Sequence, residues 1–364
     1  MSSLRVRSTL VALCVLTLGA WSAAAWADDP FYKGKRLTVL INYAAGGPSD
    51  IEGRLLVRHI GKYIDGNPTL VVQNMDGAGG MIGNNYLGEV APKDGTMVGY
   101  FTGSAWNAAN DPGLFRTDFK TYEFVAYQPG TSIYFIRADT PPGLKEATDI
   151  VKAKDVVAGG LGVTNAKDLL IRLSLDILGV PHKYVTSYQG NNAARLAVQR
   201  GEINYYSESP PGYLSVIEPG MVKTGEVVPV FYDPGWNGES FRVPKQVAGL
   251  DILPFQELYK KINNGVLPSG PLWEAYLSIL TVNSGMQRLV VLPPKAPQAA
   301  VASLRGALLK LNDDQAYQEE AVKLVGFKPD YEVGPDTDKE VRKALSTTPE
   351  TRAFIADYIK KGGH

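Results

Sequence analysis

A chain of 364 residues with one cysteine and three histidines is poor in the side chains that bind transition metals or close disulfides. The histidines, His59, His182 and His364, have no metal-ligand spacing to one another or to the cysteine, so no metal is expected. Net charge is also missing, because 37 basic and 37 acidic residues cancel. With no basic cluster interleaved with aromatics, nothing in the chain attracts a polyanion, and nucleic acid is not an expected partner. Neither Ser104 nor Ser209 stands in a G-x-S-x-G elbow, and there is no Walker A pattern. A dinucleotide fingerprint begun by Gly77 and Gly79 fails, since Ile82 stands where a third small residue is needed and Gly83 comes one place late. No cofactor and no catalytic residue set are therefore expected.

The longest early apolar stretch, Leu10 to Leu18, follows Arg5 and Arg7 and gives way to Ala25-Trp26-Ala27. That order is a secretory signal peptide over residues 1–27, cleaved before Asp28, and its apolar part is short for a membrane span. Leu13 before Cys14 does not suit lipoprotein cleavage, and removal of the segment takes the sole thiol with it. An exported chain without disulfides depends on ordinary hydrophobic cores, and this one is long enough for two.

What the chain has in abundance is glycine at strand-to-helix junctions. Tyr43-Ala44-Ala45-Gly46-Gly47-Pro48-Ser49-Asp50 follows the strand-like run Leu37–Ile41 and opens an amphipathic helix expected near Ile51. Paired glycines permit a tight bend, and Ser49 or Asp50 suits a helix N-cap. The unpaired amides of such a helix start would hold a small anion such as a carboxylate. The same glycines could equally do no more than shape a connection. A second cluster, Gly77 to Gly83, reads as close strand–helix packing, and a third, Gly159-Gly160-Leu161-Gly162-Val163-Thr164-Asn165, again joins a strand to a helix that Thr164 or Asn165 caps.

Short apolar runs at 37–41, 70–73, 97–101, 132–136, 156–159, 183–185 and 203–207 alternate with helical patterns at 51–63, 80–90, 166–178 and 192–200. This is the grammar of an α/β protein with parallel sheets flanked by helices, written twice. Residues 233–292 are rich in Gly, Pro and aromatics, with helical pieces at 255–262 and 272–280. Helices follow at 298–311, 314–325 and 337–361. Tyr43, Trp106, Tyr188, Tyr205, Tyr206, Tyr213 and Trp236 fall at strand ends or in loops, where two or three could wall a pocket.

The ordered set of the Tyr43–Asp50 turn, Val72-Gln73-Asn74 with Gly77-Ala78-Gly79-Gly80 and Gly83, Lys93-Asp94-Gly95-Thr96, Asp118-Phe119, Tyr188-Gln189-Gly190 and Gly201-Glu202-Ile203-Asn204 resembles the substrate-binding proteins of tripartite tricarboxylate transporters, the TctC or Bug receptor family. The resemblance covers most of the chain beyond residue 27. It implies a periplasmic-binding-protein-like two-lobe clamp of the type II, Venus flytrap kind. Residues 28–131 and 236–364 would form lobe 1, and residues 132–235 lobe 2. It implies a periplasmic, monomeric receptor that closes on a small organic carboxylate and delivers it to membrane transporter subunits or a sensor. Its ligand-binding positions fall here on Tyr43, Gly46, Gly47, Ser49, Asp50, Ser104, Ala105, Trp106, Gly162, Val163, Thr164, Gln189 and Glu208, the last suited to a cationic or hydroxyl group on the ligand. Two departures stand out: Lys167 or Asp168 occupies the place of a common histidine, and a Leu-Pro-x-x-Pro-Thr segment is absent between Val243 and Leu258. The rival expectation is a secreted hydrolase-like enzyme using Asp50 or Glu208 as acid–base groups.

Overall fold

The computed structural model describes residues 29–188 and 190–362. The expected signal peptide, Gln189 and His364 lie outside the described residues. Strand and helix alternate from the start: β1 (Arg36–Ile41), α1 (Pro48–Ile60), β2 (Thr69–Asn74), α2 (Met81–Glu89), β3 (Met97–Thr102), α3 (Ser104–Asn110) and β4 (Glu123–Gln128). The chain then crosses to β5 (Ile133–Arg137), β6 (Val156–Gly159), α4 (Ala166–Ile177), β7 (His182–Val185), α5 (Asn191–Gln199), β8 (Tyr205–Glu208), the single turn α6 (Pro210–Gly212) and β9 (Val227–Tyr232). A two-residue-per-strand hairpin, β10 (Gly235–Trp236) with β11 (Phe241–Arg242), leads to α7 (Phe255–Ile262) and α8 (Pro271–Asn283). The chain returns through β12 (Arg288–Leu292) and ends in α9 (Gln298–Asn312), α10 (Gln315–Val325), α11 (Thr337–Ala344) and α12 (Pro349–Lys361).

The two five-stranded sheets have matching orders, β2-β1-β3-β12-β4 and β7-β6-β8-β5-β9. In each, three strands are parallel, and the fourth position holds the strand that has just crossed from the other lobe, antiparallel to both neighbours. This is the mostly parallel, two-lobe α/β arrangement that the alternating pattern implies. One face of the first sheet packs under α1, α9 and α10. A second core runs from its other face into the second lobe. Among the described residues no helix is long and apolar enough to cross a membrane.

Two expectations need correction. Helix α1 begins at Pro48 rather than near Ile51, and neither Ser49 nor Asp50 caps it: Gly47 is the N-cap and makes no side-chain bond. Proline's fixed φ and missing N–H suit the first helical position, which shifts the start towards the glycines. The single helix expected over 337–361 is two, because Pro349 restarts the chain behind a Thr348 cap that accepts from the Thr351 amide.

The segment between β9 and β12 ties the halves together. Helix α7 packs on β9, while α8 lies against α4 on one side and against α3 and α12 on the other. At the crossings, the Thr131 hydroxyl donates to the Asp233 carbonyl at 2.7 Å and the Asp233 amide to the Ser132 carbonyl at 2.9 Å. The Asp233 carboxyl is fully buried and accepts from the hydroxyls of Tyr134 and Tyr276 at 3.2 and 2.7 Å. Burial pushes its pKa up to about 7, against the pull of those two hydroxyls.

A raised carboxyl pKa stabilises the fold fully below the unfolded-state value and loses that contribution as pH climbs through the folded value. Relative to Asp233→Asn, the wild-type protein should therefore lose up to about 4 kcal/mol between about pH 4 and about pH 8. Urea titrations of both proteins across that range measure it, and a pH-independent difference would contradict the assignment.

Candidate functional site

The carboxyl ends of the parallel strands in the two lobes carry the glycine turns. In lobe 1, β1 runs out through Asn42, which is fully buried and exchanges two 3.0 Å hydrogen bonds with the backbone of Thr102 at the end of β3. The chain then bends through Gly46, whose φ of +80° suits glycine, into the N-terminus of α1. Asp50, buried at 3% exposure, accepts from the Gly46 amide at 2.8 Å, from Arg54 Nε at 2.9 Å and from Asn74 Nδ2 at 2.9 Å. Burial alone would raise its pKa, but the Arg54, Gly46 and Asn74 hydrogen bonds outweigh it and hold the carboxyl below the ordinary range. Ser49 shares a 2.9 Å hydrogen bond with Thr102 Oγ1. Asp50 is thus the brace of the turn, and among the described residues nothing accepts from the Gly47 amide.

Lobe 2 repeats the device. Gly162 donates its amide to Asp168 Oδ2 at 2.7 Å, and the same oxygen accepts from the Tyr184 hydroxyl at 2.5 Å. Burial raises the Asp168 pKa, opposed by Tyr184 and the loop amides. Asn165 caps α4 by accepting from the Lys167 amide, as expected for Thr164 or Asn165. Among the described residues no group accepts from the amides of Val163 or Thr164. Both aspartates stand at the third residue of their helices, where a carboxylate can reach back to amides ahead of the helix start.

One polar contact reaches from lobe 1 to the second glycine turn. Trp106, in the first turn of α3, donates its indole N–H to the Thr164 carbonyl at 3.2 Å, joining the loop after β3 in lobe 1 to the glycine turn of lobe 2. Ala105 is buried beside it, and the Ser104 hydroxyl points back to Asn84 Oδ1 at 2.8 Å. Tyr43 is partly exposed and reaches the Gly79 carbonyl at 3.5 Å, where Asn107 also donates at 3.4 Å, so the second glycine cluster supports the other two lobe 1 turns. A Cβ at Gly80 would collide with Asn42 and one at Gly83 with Met75 and Asn42, in keeping with close packing. Glu208, at the end of β8, is buried at 1% exposure, and its Oε1 accepts from Asn191 Nδ2 at 2.5 Å and the Ser209 amide at 2.9 Å. Arg195 lies 3.6 Å from Oε2. Gln189 lies outside the described residues.

Of the aromatics, Tyr205, Tyr206 and Tyr213 are buried. Trp236 lines a separate cavity of about 590 Å³ with Tyr127, Glu274, Glu340 and Thr351, away from the glycine turns. The residues that hold the site and that the sequence reading passed over are Asn42, Arg54, Asn74, Asn191 and Arg172, the last donating to the Val163 carbonyl at 3.0 Å. An aspartate three residues past each helix cap was the one available signal. Asp50→Ala removes the acceptor of the Gly46 amide and of Asn74, and should lower unfolding free energy by about 2 kcal/mol. Chemical denaturation tests this, and unchanged stability would show that the turn holds itself.

No family profile matches the chain. A curated relative, a UPF0065 protein from the TAR-I region of Agrobacterium vitis, is 30% identical over 203 residues, 54% of this chain and 56% of that protein. The match thus spans about half the length of the curated relative. A TctC solute binding protein from Polaromonas superposes with a TM-score of 0.62 at 17% identity, covering 90% of this chain and 99% of that one. MatC from Rhodopseudomonas palustris, with bound malate, superposes with a TM-score of 0.55 at 18% identity over 90% and 98% of the two chains. The matching sheet orders and this end-to-end superposition place the chain in the two-lobe periplasmic-binding-protein fold of the TctC solute-binding proteins.

Proposed function

We propose that this protein is a non-catalytic, periplasmic solute receptor that holds a small organic carboxylate between its lobes. It passes the ligand to membrane subunits of a tripartite tricarboxylate transporter or reports it to a sensor. In this reading residues 28–131 and 236–364 belong to lobe 1 and residues 132–235 to lobe 2, with α7 and α8 bridging them, and the chain acts as a monomer exported by residues 1–27. The ligand lies among Tyr43, Gly46, Gly47, Ser49 and Asp50 of one turn, Ser104, Ala105 and Trp106 of the next, and Gly162, Val163, Thr164, Gln189 and Glu208 of lobe 2.

The observation that carries the reading is a pair of aspartate-braced glycine turns at the starts of α1 and α4, each with unclaimed amides, the second tied to α3 of lobe 1 by the Trp106 indole N–H on the Thr164 carbonyl. Main-chain N–H groups at the carboxyl ends of parallel strands and at helix starts are suited to carboxylates. MatC, the fold relative with bound malate, supports the same ligand class. Micromolar affinity requires about 8 kcal/mol, which a few charge-assisted hydrogen bonds of roughly 1.5–3 kcal/mol each supply after the cost of association. The acid–base alternative is disfavoured at Asp50: a carboxylate claimed by Gly46, Arg54 and Asn74, with its pKa held down, is a poor proton shuttle near neutral pH.

A thermal-shift screen against mono-, di- and tricarboxylates tests the proposal, since ligand at about a hundred times its dissociation constant adds roughly 2.7 kcal/mol of stability. Binders should be recovered chemically unchanged, and a flat response across the panel would sink the reading. Gly47 has an ordinary φ of −80°, and a Cβ there would meet only the Ala44 carbonyl, at an ordinary contact distance of 3.5 Å. Gly47→Val should therefore fold yet lose binding, because its methyl groups cover the amides; retained affinity would remove this turn from the site.

A further inference from the structure

The cavity of about 590 Å³ that Trp236 lines is built by the β10–β11 hairpin, α8, α11 and the start of α12. Part of its wall is thus the Gly-, Pro- and aromatic-rich stretch 233–292, which the receptor reading uses only to bridge the lobes. Its volume is that of a small-molecule pocket. The hairpin bend beside it is fixed, because Asn237 Oδ1 accepts from the amides of Glu239 and Ser240 at 3.0 and 2.8 Å.

Four carboxylates, of Glu239, Glu274, Glu332 and Glu340, line this space against two cations, Arg242 and Lys343. Both cations are already paired: Lys343 Nζ lies 3.3 Å from Glu239, and Arg242 Nη1 lies 3.6 Å from Glu332. Among the described residues neither Glu274 nor Glu340 has a cation within 4 Å. Glu340 Oε2 accepts only from the Tyr127 hydroxyl, at 3.0 Å, and the Glu274 side chain, in the first turn of α8, has no hydrogen bond. The field at Tyr127 is negative: burial, then the hydrogen bond to Glu340 and the charges of Glu340 and Glu332, raise its pKa, and Arg242 only partly opposes them.

Aromatic rings complete the wall. Trp236 packs on Phe241 with centroids 4.5 Å apart, and Trp236 and Tyr127 both border the cavity. Aromatic rings beside carboxylates attract ammonium groups. A metal ion does not fit the same features, since among the described residues no three carboxylates or histidines stand close enough to hold one. The negative charge is spread around a space that only a larger cation fills.

We propose that this cavity is a second binding site, separate from the glycine turns, and that it takes an aliphatic diamine or polyamine whose ammonium groups pair with Glu274 and Glu340. The methylenes of such a chain would lie along Trp236 and Leu277, which line the same wall. Two positive charges match the two carboxylates left over, so a diamine gains where a monoamine leaves one acid unpaired. The inference is independent of the receptor reading, because none of these residues belongs to the carboxylate site.

Calorimetric titration with 1,4-diaminobutane, spermidine and butylamine tests this on the wild-type protein, Glu274→Gln, Glu340→Gln and the double variant. The diamine and spermidine should bind the wild type at one to one, and butylamine about tenfold or more weakly, as for loss of one charge-assisted contact. Each single variant should lower diamine affinity by about the same factor, and the double variant should abolish binding. Both substitutions keep side-chain size, and Glu340→Gln keeps an acceptor for the Tyr127 hydroxyl, so the melting temperature without ligand should not fall. Failure of the wild type to bind either polyvalent amine would overturn the site. Undiminished binding by the double variant would overturn it too, since the amines would then be held by surface charge elsewhere, and equal affinity for butylamine and the diamine would overturn the pairing with two carboxylates.

Discussion

Two hydrogen bonds, from the Gly46 amide to Asp50 and from the Gly162 amide to Asp168, fix the backbone on which the proposed chemistry rests. A glycine turn left to itself samples many conformations, and amides that wander cannot present a fixed site. In each lobe a carboxylate at the third helical residue folds back and uses one turn amide as an anchor. The neighbouring amides, of Gly47 in one lobe and of Val163 and Thr164 in the other, are thereby aimed but not consumed. Arg54 pairs with the Asp50 carboxylate, while burial pushes the Asp168 pKa up against the pull of Tyr184 and the loop amides.

Rigidity within each lobe has its own supports. Glu52 on α1 and Arg288 at the start of β12 form a buried bidentate pair, at 2.5 and 3.1 Å, so the helix that carries the first turn is locked to the strand that re-enters from the second lobe. A pair this deeply buried offers little net stability, but it penalises any other placement of α1 relative to the sheet. Between the lobes the contacts are of another kind. Beside the shared apolar core and the packing of α8 on α4, α3 and α12, the polar ones include Trp106 on the Thr164 carbonyl, the Tyr358 hydroxyl on Asp176 at 2.5 Å, and the backbone bonds around Asp233.

The alternation of apolar runs and helical stretches in residues 36–208 was enough to place most strands of both sheets within a residue or two, because each run is local and its period is set by burial on one or both faces. The strands that it did not reveal, 123–128, 227–232 and 288–292, are the last strand of each sheet and the one that returns from the other lobe. Their partners lie far away in sequence, so no local pattern announces them. Proline 48 carried a start signal that pointed three residues ahead of the one chosen. The glycine turns were legible as candidate anion sites, whereas their braces were not, since Asn74 and Arg54 reach Asp50 from a strand and from the next helical turn.

Residue order by itself determined the class of the fold, its duplication into two lobes, and the position of glycine turns at strand-to-helix junctions, because these depend on side-chain period and on which residues tolerate a tight bend. Only the tertiary structure decided that Trp106 of α3 reaches the lobe 2 turn at Thr164, and it turned Asp50 inward as a brace. Those outcomes depend on distances between segments tens of residues apart, which packing sets and which no local pattern encodes.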